Sequence, residues 1–151
     1  MSSIVWEEYL DIPPAKDEEI REAEQQLGMT FPEEFKHILK SFQGKTPIPN
    51  GIESEEVCKV TFGPILHVLQ SEEPVYSIKR AKELWDRYYP NLLPIANSGD
   101  GCIFAYDFSS GEENPPVVFV NAEADPEDED EDEGILFVAS SLTELLSNLK
   151  D

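Results

Sequence analysis

Three groups of residues in this chain have types and spacings that could do chemistry. The first is Asn97-Ser98-Gly99-Asp100-Gly101, a glycine turn of the sort whose backbone N–H groups can cradle a phosphate. A phosphate loop needs a helix after its glycines, and a β-rich run from Cys102 to Asp107 follows instead. The turn is therefore expected to join two core strands. The second group is Asp100 with Asp107, which could act as the paired carboxylates of an acid–base hydrolase if both faced one cleft. Asp100, however, sits in a turn that selects aspartate for its backbone geometry, and Asp107 ends the strand, so both are expected to be structural. The third is Glu123–Glu133, with nine acids in eleven positions. Setting Glu129, Glu131 and Glu133 at positions one, three and five of a calcium loop places Gly134 at the sixth. Position twelve is then Ser140, which has no bidentate carboxylate, and no helix leads into the loop. No metal site and no cofactor are expected.

The remaining reactive side chains are few. His37 lies beside an apolar stripe and His67 within an apolar run, with no second ligand at metal-binding spacing. Cys58 and Cys102 form neither a CxxC nor a disulfide framework, so reduced thiols are expected. No GxSxG, HExxH or Walker pattern occurs. These observations argue against an enzyme.

The elements that must position these residues can be read from periodicity. Cys102, Phe104 and Tyr106 alternate with Ile103, Ala105 and Asp107, so neither face is strongly polar and the strand should lie inside a sheet covered on both sides. It is taken as the central strand. Ahead of it, Ile4-Val5-Trp6 is a short lead-in, either a brief helix or an extended arm. From Asp17, acids in the first turn and Ile20, Ala23 and Leu27 spaced three and four apart predict a helix ended by Gly28. Its cap is unusual: Lys16 precedes it, so capping could pass to Asp17. Pro32 suits a first helical position, and Phe35, Ile38, Leu39 and Phe42 predict a second helix ending at Gly44.

The run Thr46–Glu56, with two prolines and a glycine, is expected to be a loop; strands are expected at Val57–Phe62 and Ile65–Leu69. Pro74 can open a third helix with Ile78, Ala81, Trp85 and Tyr88 inward and Lys79, Arg80, Lys82 and Arg87 on solvated faces. After a polar turn at Ser109–Asn114, strands are expected at Pro116–Val120 and Ile135–Val138. Ser141-Leu142-Thr143-Glu144 is then a capping box for a last helix burying Leu142, Leu145, Leu146 and Leu149. Helices first and last with strands between, and no βαβ alternation, indicate an α+β fold: helices at both ends packed on a central, mostly antiparallel sheet.

Composition sets the outer limits. The 151 residues fit one domain, 1–151, with an acidic loop at 123–133, and 40% apolar residues suffice for a core. A net charge of −21 disfavours nucleic acid and anionic membranes and favours a basic protein partner. No leader or membrane-spanning run is evident, so a cytoplasmic location is expected.

Four blocks, in order, resemble the SUKH superfamily of Smi/Knr-like domains. They are Glu19-Ile20 through Leu27-Gly28; Phe31-Pro32-Glu33-Glu34-Phe35 with Leu39 and Gly44; Leu93-Pro94-Ile95-Ala96 with Gly99-Asp100-Gly101 and Tyr106-Asp107; and the closing strand and helix. The resemblance runs from about Trp6 to Leu149. It implies a non-enzymatic binding module: an immunity protein that neutralises a polymorphic toxin, such as a nuclease, or a regulatory scaffold of the Smi/Knr type. Acidic residues are then the candidate partner contacts, namely Asp17, Glu18, Glu22, Asp100, Glu127, Asp128, Glu129, Asp130, Glu131, Asp132 and Glu133.

Overall fold

The structure is a computed structural model, describing residues 4–8, 12–53, 60–68, 76–85, 91–98, 102–109, 115–120 and 135–150. Its main sheet is built on the expected hairpin. Strands β5 (Leu92–Asn97) and β6 (Ile103–Asp107) pair antiparallel from Leu92 opposite Asp107 to Asn97 opposite Ile103, and the Ser98 N–H donates to the Cys102 carbonyl at 3.1 Å. β7 (Val117–Val120) and β8 (Ile135–Ala139) extend the sheet in the order β5-β6-β7-β8, all antiparallel. β6 is thus an interior strand, and its alternation sorts side chains between two buried clusters. Phe104 and Tyr106 join the large core, while Ile103 and Ala105 pack with Leu92, Val118 and Val120 on the opposite face.

All four described helices contribute to the first face. α1 (Asp17–Leu27) buries Ile20 and ends at Gly28, whose N–H donates to the Glu24 carbonyl at 2.8 Å and whose φ of +68° turns the chain so that the Met29 N–H reaches the same carbonyl at 3.2 Å. A residue with a Cβ would be strained in that left-handed conformation. Lys16 is the N-cap residue without a capping side chain; Glu19 reaches back instead and accepts from the Lys16 N–H at 2.9 Å. α2 (Glu33–Phe42) carries the expected stripe, with Phe35 against Tyr106 at 5.9 Å between ring centroids. Pro32 is its N-cap residue, one position before the first helical turn. α3 (Ile78–Trp85) buries Ile78 and Ala81, and α4 (Leu142–Ser147) buries Leu142 and Leu145.

Several expectations need correction. The proline-rich run at 46–56 is not simply a loop. β1 (Val5–Glu8) is an extended arm that pairs antiparallel with β2 (Lys45–Ile48), placing Trp6 opposite Pro47. Pro47 is tolerated because, among the described residues, β1 is the only strand paired with β2, so its missing N–H interrupts no ladder on the other side. Stacking of Trp6 on Phe42, with centroids 4.4 Å apart and planes 8° from parallel, holds the arm to α2. β3 (Gly51–Ile52) also falls within that run and pairs with β4 (Val60–Thr61). Of the strand expected at Ile65–Leu69, the described part, Ile65–Val68, shows isolated bridges, Ile65 to Ala96 and His67 to Ser77, and Leu69 lies outside the described residues. Lys82 is buried at 7% exposure, against the solvated reading of its helix face, because it sits four residues after the buried Ile78. Pro74, Arg87 and Tyr88 lie outside the described residues. No described helix is long and apolar enough to cross a membrane.

Candidate functional site

The acidic candidates divide between α1 and segments outside the described residues. Asp17, Glu18 and Glu22 are exposed on the first turns of α1, where carboxylates also complement the positive end of the helix dipole. They are not equally available. Asp17 lies 3.2 Å from the Lys40 ammonium on α2, and Glu22 accepts from the Gln26 amide at 3.3 Å. A second pair, Glu24 to Lys36 at 3.6 Å, also ties α1 to α2, and Glu24 accepts from the Phe31 N–H at 2.8 Å to fix the connection between them. Asp100 and Glu127–Glu133 lie outside the described residues.

Of the hydrolase pair, only Asp107 can be placed. Its carboxylate accepts from the Ser109 N–H at 2.9 Å, an Asx turn that ends β6 as the sequence suggested. His37 is exposed on α2 and His67 is fully buried. Among the described residues, no group of three or more His, Cys, Asp or Glu side chains is disposed to hold a metal ion. Cys102 is buried and forms no disulfide among the described residues.

Among the described residues, the most highly bonded carboxylate is one to which sequence reasoning gave no role. Glu34, on the first turn of α2, accepts from the Tyr106 hydroxyl at 2.8 Å, the Leu142 N–H at 2.8 Å, the Thr143 N–H at 3.0 Å and the Thr143 hydroxyl at 2.8 Å. Leu142 and Thr143 are the first two residues of α4, so their N–H groups have no partner within that helix. Ser141 caps the next one, accepting from the Glu144 N–H at 3.0 Å. Glu144 does not complete the expected box on the Ser141 N–H; it reaches the N–H and hydroxyl of Ser140. Glu34 therefore clasps three elements: α2, β6 and the start of α4.

Burial opposes the charged form of Glu34, but the four donors outweigh it and hold the carboxyl below its usual pKa. The Tyr106 phenol moves the other way, pushed up first by burial and then by the neighbouring Glu34 charge. With its acceptor positions occupied by structural donors, this carboxylate has no proton to give and little capacity to take one at neutral pH. The pair resembles acid–base machinery only in composition; its geometry is that of a clasp. Its partners, 72 and 108 residues away, left no local signal in the sequence.

No curated protein shows a sequence match to the chain. A family model does, described as the SMI1 / KNR4 family (SUKH-1); it matches residues 14–148, from just before α1 to the end of α4, and the chain belongs to that family.

Proposed function

We propose that this chain is a non-enzymatic binding module of the immunity type, which neutralises a toxin by covering a basic face such as that of a nuclease. Membership of a family that includes toxin immunity proteins and Smi1/Knr4 regulators carries the reading. The charge supports it. With 32 acidic and 11 basic residues, the protein projects a negative field that accelerates encounter with a basic surface and repels nucleic acid. In this reading, residues 1–151 act as one domain in the cytoplasm of the cell that must be protected. Glu18 and Glu22 on α1, with the segment Glu127–Glu133, present the charge that the partner meets.

The reading is tested with the reading frame beside this one. A large secreted protein with a C-terminal toxic domain is expected there. Co-expression of that domain with this chain should restore growth, and the two should co-elute as a stoichiometric complex. A toxic neighbour that still kills in the presence of this chain, or the lack of such a neighbour, refutes the immunity role and leaves the regulatory scaffold as the family function to pursue.

A further inference from the structure

An open cleft of about 620 Å³ lies between the C-terminal end of α1, α3 and one end of the main sheet. Its size is within the ~300–1,000 Å³ typical of small-molecule sites. Leu27 and Met29 supply an apolar wall, and Phe108 another, held in place by its N–H donating to the Asn91 carbonyl at 2.9 Å. Lys79 and Lys82 stand one helical turn apart on α3 and both line the cleft.

These lysines are not ordinary surface charges in a chain of net charge −21. Lys82 is only 7% exposed and already engaged within the protein, which leaves Lys79 as the cation of the cleft that can meet a ligand. Lys79 is exposed and, among the described residues, makes no ion pair, whereas Lys36, Lys40 and Arg80 lie 3.6, 3.2 and 3.8 Å from carboxylates. Glu83 also lines the cleft and is the carboxylate that pairs with Arg80. We propose that this cleft binds a small organic anion, its acidic group at Lys79 and its apolar body against Leu27, Met29 and Phe108. The site is independent of the partner-binding reading. A purely structural account competes with it: α1 has no basic residue in its last turn, and the lysines could serve only to offset the negative end of that helix.

Two fluorescent probes separate these accounts. 8-Anilinonaphthalene-1-sulfonate carries the anion, and N-phenyl-1-naphthylamine is the same ring system without it. The intact protein should bind one equivalent of the sulfonate, about five-fold or more tighter than the neutral probe. Lys79→Gln should bring the sulfonate down to the affinity of the neutral probe and leave the neutral probe unchanged. Thr30→Trp, placed at an exposed residue of the cleft lining, should block both. Equal affinity for the two probes overturns the proposal, as does the lack of saturable sulfonate binding below 1 mM. So does unchanged sulfonate binding in Thr30→Trp. Lys79→Gln that lowers the thermal midpoint while keeping its sulfonate affinity establishes the structural account instead.

Discussion

Removing the Glu34 carboxylate should loosen α4 while leaving the main sheet paired. Tyr106 has no exposed surface, so a hydroxyl there that loses its acceptor costs about 1–3 kcal/mol. The Leu142 and Thr143 N–H groups lose a charged cap, worth about 0.5–2 kcal/mol, although exposed Thr143 can recover part of this from water. Glu34→Ala is therefore expected to destabilise the fold by about 2–4 kcal/mol. Glu34→Gln, which keeps one acceptor oxygen but presents an amide to a set of donors, should cost about half as much. Tyr106→Phe removes a donor and leaves three others on Glu34, for a loss of about 1 kcal/mol. Urea unfolding at pH 7 measures all three, and the Glu34→Ala, Tyr106→Phe double variant should show a coupling of about 1 kcal/mol. Hydrogen exchange should quicken at α4 amides before those of β6. A loss below about 1 kcal/mol for Glu34→Ala would refute the clasp, because four bonds to one carboxylate would then be replaceable by water.

The pH dependence has a definite sign. The folded pKa of Glu34 is lowered, so its stabilisation is fully present above the unfolded glutamate value, about 4.3, and is lost as pH falls through the folded value. The stability difference between the wild type and Glu34→Gln should be flat at neutral pH and shrink below about pH 4.3. The difference is the quantity to follow, since the other carboxylates titrate in both proteins and cancel.

Other tests address the core, the acidic run and its charge. Phe35, at 0% exposure between Phe31 and Tyr106, should cost about 3–5 kcal/mol when changed to Ala, read by chemical denaturation; a loss below about 1 kcal/mol would place the α2 stripe outside the core. Calcium titration in ~0.15 M salt should give only weak, salt-screened binding, whereas a stoichiometric isotherm at micromolar calcium would show that Glu123–Glu133 forms a site despite Ser140 at its twelfth position. Replacing Glu127–Glu133 with a Gly/Ser linker should leave the thermal midpoint nearly unchanged and make association with a basic partner slower and less salt-sensitive. An unchanged rate would reduce the segment to a solubilising loop, and a collapse of stability would place it inside the fold.

What the sequence could announce depended on whether the determining contact was local. The helices α1, α2 and α4 carry their own period and the strands β5 to β8 are short apolar runs, so they could be read without knowing what they pack against. β2 could not be read this way. Its strand character comes from Trp6 stacking on Phe42 and from pairing with β1, about 40 residues earlier, and both override two prolines that locally argue for a loop. Lys82 was misread because charge alone suggested solvent, while its position four after Ile78 put the aliphatic stem on the buried side. Glu34 was visible only as part of a motif. Its four bonds are made by residues from β6 and α4, so only the folded chain brings its donors together.

The ion pairs separate the charge that serves the fold from the charge that does not. Lys36 and Lys40 join α2 to α1 through Glu24 and Asp17, and Glu34 works through uncharged donors. Even if all 11 basic residues were paired one to one, 21 of the 32 acids would remain without a cation (32 − 11 = 21). Most of the acidic excess therefore cannot stabilise the native state through ion pairs, and its mutual repulsion acts against compactness. Salt consequently has opposite effects on the two levels. Screening, with a Debye length of about 8 Å at physiological strength, relieves self-repulsion within the fold while weakening the field that the proposed basic partner would meet. A protein selected for stability alone gains nothing from such an excess. One selected for rapid encounter can carry it because the packing of the sheet on its helices and the Glu34 clasp do not depend on net charge.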